Sequence, residues 1–177
     1  MSTTVQVPAH VLPALLPALL SVAELRRLLP HRYPMLLVDR VVDVEPGRRL
    51  GAVKAVTVNE PCFAGLPDDA VFDYPPTLLV ESWGQAAGIL AMLSHPDPDS
   101  LAGQVMLAGA MTGIAFHGPV TPGTLVRHEV RVERVFSDTV IFAGESTVDG
   151  DVVMTLARMV MAFRPAGALD SPKDGNP

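Results

Sequence analysis

The sequence predicts an α+β domain in which one curved antiparallel sheet wraps round one long central helix. Three observations carry this. Residues 76–94 are apolar on nearly every side of a helix, which marks a buried helix and not a surface one. The stretches that follow alternate with period two, as half-buried strands do. Only a short helix and two short strands precede the long helix, so the economical layout is one helix covered by one sheet.

The elements follow in order. Residues 1–20 read as an extension. Its apolar run, 11–23, is too short to cross a bilayer and contains Pro13 and Pro17, and no Lys or Arg precedes Arg26. Neither a membrane span nor a secretory signal is expected there. Residues 21–29 form a short helix, with Ser21 as cap, Glu24 at the third position of a capping box and Pro30 as the stop. Residues 35–44 and 50–58 read as strands joined by the turn Glu45-Pro46-Gly47-Arg48. Residues 59–75 are irregular, with Pro61, Gly65, Pro67 and the adjacent acids Asp68 and Asp69.

Pro75-Pro76 suits the start of the long helix, because the first N–H groups of a helix have no partner inside it. Its few polar side chains are Thr77, Glu81, Ser82 and Gln85, and Pro96 and Pro98 close it. Residues 104–116 are a strand whose glycines point to a bulge. Residues 125–135 alternate, and residues 139–148 and 152–163 form a hairpin round Asp149-Gly150. A Pro-, Gly- and Asp-rich tail occupies 165–177. The organisation is therefore an extension (1–20), one domain (21–164) and a tail (165–177).

A chain of 177 residues is one domain by size. Its hydrophobic fraction is 49% and its charged fraction 18%, against about 25% charged in typical globular proteins. So little charge over so much apolar sequence implies surface buried against another subunit. A net charge of −6 argues against a nucleic-acid or anionic-membrane surface. The single cysteine, Cys62, excludes an internal disulfide and fits a cytoplasmic protein.

Glu81 is the first candidate for chemistry. A carboxylate in the middle of an apolar helix is costly unless it pairs or lines a pocket. Gln85, at i+4, shares its face and can orient it. His31 lies at a helix-to-strand corner and reads as structural; His117 reads as a loop histidine; His128 alternates in phase with core residues. Cys62 reads as a small buried hydrophobe. No metal-ligand spacing, phosphate loop or nucleophile elbow is present, and neither a metal nor a cofactor is expected.

The run Leu28-Leu29-Pro30-His31-Arg32-Tyr33-Pro34-Met35-Leu36-Leu37-Val38-Asp39-Arg40-Val41 resembles the opening signature of FabZ-type 3-hydroxyacyl carrier-protein dehydratases. Glu45-Pro46-Gly47, Lys54 and Val58-Asn59-Glu60-Pro61 continue it, Glu81-x-x-x-Gln85-Ala86-Ala87-Gly88 matches the central helix, and Phe116, Pro119-Val120-x-Pro122-Gly123 and Val148-Asp149-Gly150 match later strands. The resemblance implies a hot-dog fold, dimers joined at a sheet edge, and dehydration of acyl substrates held on acyl carrier protein. In that family a His takes the α proton and a Glu on the central helix protonates the leaving hydroxyl, the two coming from opposite subunits. Glu81 and Gln85 fall on the helix Glu and the Gln after it.

The departures fall on the other half of the chemistry. The family loop reads Gly-His-Phe-Pro-Gly; here it is Phe63-Ala64-Gly65-Leu66-Pro67-Asp68-Asp69, one residue longer, with Leu66 at the His position. A leucine cannot abstract a proton. The Gly whose N–H serves the thioester carbonyl lies five residues before the helix Glu, and here that residue is Pro76, which has no N–H. Phe63, Gly65, Leu66, Pro76 and Trp83 are the expected substrate-binding residues. Three readings follow. The chain contributes Glu81 to a heterodimeric dehydratase whose partner is an intact FabZ-like chain, in fatty acid or polyketide-type (polyene) biosynthesis. It is a hot-dog thioesterase using Glu81. Or it is a non-catalytic subunit that binds acyl chains or carrier protein.

Overall fold

The computed structural model describes residues 20–67, 69–95 and 103–169. Within them the chain forms α1 (Val22–Leu28), β1 (Arg40–Glu45), β2 (Arg49–Ala55), α2 (Pro76–Ser94), β3 (Gln104–Phe116), β4 (Leu125–Val135), β5 (Thr139–Val148) and β6 (Asp151–Pro165). Single 3₁₀ turns lie at Pro61–Phe63 and Ala166–Leu169. The strands make one sheet in the order β1-β2-β4-β5-β6-β3, antiparallel at every pairing, and the fold class is the expected one.

The helix α2 begins where two prolines place it: the Leu78 and Leu79 N–H groups both close on the Pro75 carbonyl. From Ser82 to Ala91 every residue is buried. Its small residues let the sheet come close. A Cβ added to Gly88 would stand 2.6 Å from Met106 Cε of β3, and one on Gly84 would stand 3.4 Å from Met159 Cε of β6. The glycines are thus the seats in which methionine side chains rest. At the other end of the chain, the Ser21–Glu24 capping box holds α1 as expected, and Leu25 and Leu28 turn into the core. Leu20, counted in the extension on sequence, already belongs to the domain: it is buried and its carbonyl accepts the Val41 N–H at 3.0 Å. Residues 1–19 lie outside the described residues.

The first strand is shorter than its β-rich sequence suggests, and the reason is specific. Residues 36–39 lie outside the ladder: the Asp39 N–H already reaches the Val53 carbonyl of β2, but Met35 and Leu37 take helix side chains as backbone partners. Gln85 Nε2 donates to the Met35 carbonyl at 2.7 Å, the Leu37 N–H donates to Gln85 Oε1 at 2.9 Å, and the Ser82 hydroxyl donates to the Leu37 carbonyl at 3.0 Å. This strap crosses α2, and ladder pairing starts only at Arg40.

The later strands follow the sequence closely. Asp149 and Gly150 both have positive φ, 52° and 95°, as a two-residue type I′ hairpin requires. The expected bulge in β3 falls between Ala108 and Ala110. That strand is one edge of the sheet, unpaired on its outer side among the described residues, and its apolar Ile114 and Phe116 are 37% and 48% exposed. β6 and its 3₁₀ turn continue to Leu169, past the expected start of the tail, and the Ala166 N–H donates to the Gly103 carbonyl.

One polar chain runs through the core. His128 is fully buried, with Nε2 2.8 Å from Ser82 Oγ and Nδ1 2.8 Å from Ser146 Oγ. Only one arrangement of protons satisfies it. The Ser82 hydroxyl is spent on the Leu37 carbonyl, so His128 Nε2–H donates to Ser82 and Nδ1 accepts from Ser146. Burial, with the Lys54 charge second, holds the imidazole down at about 3, from an ordinary 6.5. Between those values only the unfolded chain binds the proton, so stability falls as pH drops through the window, by about 1.4 kcal/mol per unit. Above 6.5 the contribution is fully present. Urea unfolding at about pH 7.5 and about pH 5 should show the loss, and His128→Gln should flatten it. Equal pH slopes in the two proteins would contradict this.

Candidate functional site

Glu81 lies one helical turn before Gln85 on α2, beneath the strap. Gln85 Nε2 donates to Glu81 Oε1 at 2.9 Å as well as to the Met35 carbonyl, while its own oxygen takes the Leu37 N–H. Since Leu37 N–H can only donate and Met35 O only accept, the orientation of the amide is set. The pairing expected from the i+4 spacing is present, and Glu81 Oε1 is its acceptor. The Glu81 side chain keeps 38% of its surface. It is therefore a carboxyl group on a buried helix, oriented from below and open on one side.

The structure adds a residue that the sequence reading assigned to structure alone. His31 brings Nε2 to 3.4 Å from Glu81 Oε1. The corner that carries it is tied down by Arg32, whose guanidinium donates to the carbonyls of Leu29, His31 and Arg26 at 2.8, 2.7 and 3.1 Å. His31 and Glu81 are 50 positions apart in the sequence. No local pattern links them; they meet because the strap crosses α2 at Gln85 and brings the residues just before it alongside Glu81.

The loop of residues 61–75 is held at both ends. Lys54 Nζ is buried against Glu60 Oε1 at 2.5 Å and the Ala55 carbonyl at 2.9 Å, and the Tyr74 N–H donates to the Val120 carbonyl at 2.7 Å. Between these anchors the loop turns through Gly65, at φ 73°, and presents Leu66 at 40% exposure. At the helix start Pro76 leaves Thr77 as the first residue with an N–H. Among the described residues Glu81's polar contacts are Gln85 and His31, and none comes from this loop.

Two of the expected substrate-binding residues are buried within the single chain. Trp83 is wholly buried, and its Nε1–H donates to the Glu129 carbonyl at 3.1 Å. Phe63 is 6% exposed and packs against Phe72 and Tyr74, with ring centroids 5.7 and 6.5 Å away. Both face the core because their flat apolar area is worth more there than at an open cleft. Gly65, Leu66 and Pro76 remain at the surface. Burial and the Glu60 carboxylate push the Cys62 thiol up, away from nucleophilic use. Among the described residues no cluster of three His, Cys, Asp or Glu side chains is placed to hold a metal ion, and no helix is long and apolar enough to cross a membrane.

Comparison with known proteins gives a consistent result. A family profile described as a FabA-like domain matches residues 29–157. The 3-hydroxyacyl-(acyl-carrier-protein) dehydratase FabZ of Pasteurella multocida is 42% identical over 144 residues, covering 81% of this chain and 91% of that one. The FabZ of Actinobacillus pleuropneumoniae is 40% identical over 138 residues, covering 77% and 87%. Among solved structures, the dehydratase heterocomplex ApeI:P from Xenorhabdus doucetiae matches with a TM-score of 0.65 at 20% identity, covering 79% of this chain and 90% of that one. The PaaI protein of E. coli matches with a TM-score of 0.54 at 16% identity, covering 72% and 79%. At these identities the structural likeness is one of fold.

Proposed function

The chain belongs to the FabA-like family and, within it, to the FabZ-type 3-hydroxyacyl carrier-protein dehydratases, and on that premise we propose that it is the acid-bearing half of a two-chain dehydratase. One observation carries the reading. Glu81 and Gln85 stand assembled and oriented, while the loop presents Leu66 and the helix begins on Pro76. This supports the reading that the chain carries one half of an elimination site and takes the other from a partner.

The chemistry then divides between chains. An imidazole on an intact partner removes the proton α to the thioester carbonyl. The electron pair forms the Cα–Cβ double bond, the C3–O bond breaks, and Glu81 supplies the proton with which the hydroxyl leaves as water. The products are an enoyl thioester and water. The substrate is a 3-hydroxyacyl group on acyl carrier protein, in fatty acid or polyketide-type synthesis. The apolar free edge of β3 is the joint between the two sheets. The dehydratase heterocomplex named above shares the fold and supports the pairing only by analogy.

The test is reconstitution. The chain is purified alone and co-expressed with a FabZ-type chain whose loop reads Gly-His-Phe-Pro. Dehydration of a 3-hydroxyacyl carrier-protein substrate is then followed, with trans-enoyl product as readout. The chain alone should be inactive and the complex active. Robust dehydration by the isolated chain would overturn the proposal. So would release of free acid from the thioester, which would make the chain a thioesterase. A complex no more active than the intact partner by itself would identify a binding subunit.

A further inference from the structure

The two oxygens of Glu81 are not equivalent. Oε1 accepts the Gln85 amide at 2.9 Å and faces His31 Nε2 at 3.4 Å, whereas Oε2 has no hydrogen-bond partner among the described residues. His31 is unbalanced too. Its Nδ1 is buried and has no hydrogen-bond partner, while its Nε2 lies 3.4 Å from Glu81 Oε1. A proton on Nδ1 would bury an N–H donor without an acceptor and set the Nε2 lone pair against a carboxylate oxygen. A proton on Nε2 leaves only a lone pair unmatched at Nδ1, which costs less. The surroundings therefore select the Nε2–H tautomer, with its proton on the side of Oε1. At 3.4 Å the pair is an ion-pair contact that a small turn of the imidazole closes into a hydrogen bond.

We propose that His31 is a positioning residue for the Glu81 carboxyl: together with Gln85 it occupies Oε1 with N–H donors, so that the exchangeable proton resides on Oε2 alone. The inference rests on the reading of Glu81 as the acid of the site, and deepens it by naming the oxygen. An oxygen that already faces two N–H groups is the poorer place for a proton. A carboxyl group free to turn would present its proton in two directions; held at Oε1, it presents the proton in one. The Arg32 clamp on the His31 carbonyl fixes the backbone from which the imidazole projects. Gln85 is in turn held by the strap. The contacts of Gln85 and His31 to Oε1 together fix one torsion.

Neither of the first two measurements needs catalysis. Long-range proton–nitrogen NMR of the uniformly ¹⁵N-labelled chain reads the tautomer of each imidazole, and His31→Gln assigns the His31 signals. The expected pattern is a protonated Nε2 and a bare Nδ1; the opposite tautomer overturns the proposal without any mutant having to fold. The chemical shift of the ¹³C-labelled Glu81 carboxyl carbon is then read at one pH near neutrality. It should move in His31→Leu, which removes the facing N–H, and return toward the wild-type position in His31→Gln, which can still present one. An unmoved signal in His31→Leu overturns the proposal.

In the active two-chain complex, His31→Leu should lower kcat about tenfold with KM within about twofold, and His31→Gln should recover most of it. A loss confined to KM, or one that His31→Gln does not recover, overturns the role. Because the NMR readouts are made on the isolated chain, a failure of the two-chain reading and a failure of this one are told apart.

Discussion

Glu81→Gln is expected to lower the turnover of the two-chain enzyme by about 10³-fold while leaving assembly intact, the usual scale for removing a positioned acid. The amide has the size of the carboxyl group and its oxygen can still accept the Gln85 N–H, so the helix and the strap have no cause to move. It has no proton to deliver. The asymmetry between chains sharpens the test. The complex should contain one working site, made of Glu81 and the partner's imidazole. On the proposed pairing the matching carboxyl group on the partner's helix would face Leu66, which cannot abstract a proton, and its replacement by Gln should leave turnover within about twofold. Steady-state rates of the two single variants, with complex formation checked by size-exclusion chromatography, decide the matter. Equal losses in the two, or activity within about tenfold of wild type in Glu81→Gln, would remove Glu81 from the role of acid.

The largest effect on stability is expected at Gly144, where no catalysis is involved. A Cβ there would lie 1.9 Å from the Glu129 carbonyl oxygen and 3.0 Å from Trp83 Cζ2. The obstacle on one side is backbone of the neighbouring strand and on the other the largest buried side chain. That carbonyl is also the acceptor for Trp83 Nε1–H. Gly144→Ala must therefore part β4 from β5 and strip the indole of its partner, at a cost of roughly 3 kcal/mol or more. For a chain of this length that is a fall in Tm of about 6–12 °C, or loss of soluble protein. Gly118→Ala is the control: nothing lies within 4 Å of its added Cβ, and its Tm should hold within about 2 °C. Calorimetry on the pair tests the contrast, and a Gly144→Ala protein with the Tm of wild type would refute the packing described for Trp83.

The elements that were legible in the sequence are those whose causes are local. Pro75-Pro76 and the unbroken apolar run set the bounds of α2, and Asp149-Gly150 set the last hairpin, because the residues that decide these features sit inside them. Glu81 and Gln85 were legible as a pair because i and i+4 meet on any helix. The strap was not. Its apolar, β-rich sequence reads as a strand, and only the amide of Gln85 and the hydroxyl of Ser82, more than 40 positions away, explain why it stays unpaired. His31 was missed for the same reason. For Trp83 and Phe63 the sequence says which segment carries the ring, but its burial in the chain depends on the packing of the whole domain.

The interior chain Ser82–His128–Ser146 has a mechanical consequence for the cleft. A helix that is apolar nearly all round has little to stop it rolling against its sheet, because any face of it packs tolerably. Ser82 supplies the stop. Its hydroxyl is joined to β4 through His128 and to the strap through the Leu37 carbonyl, and Gln85 repeats the tie to the strap one turn further on. Neighbouring positions on a helix are about 100° apart, so a slip of one position would carry Glu81 round toward the interior that Ser82 now occupies. The serine, the imidazole and the amide thus act as a key in a shaft: they set the angle at which the carboxyl group emerges, to within the play of a few hydrogen bonds.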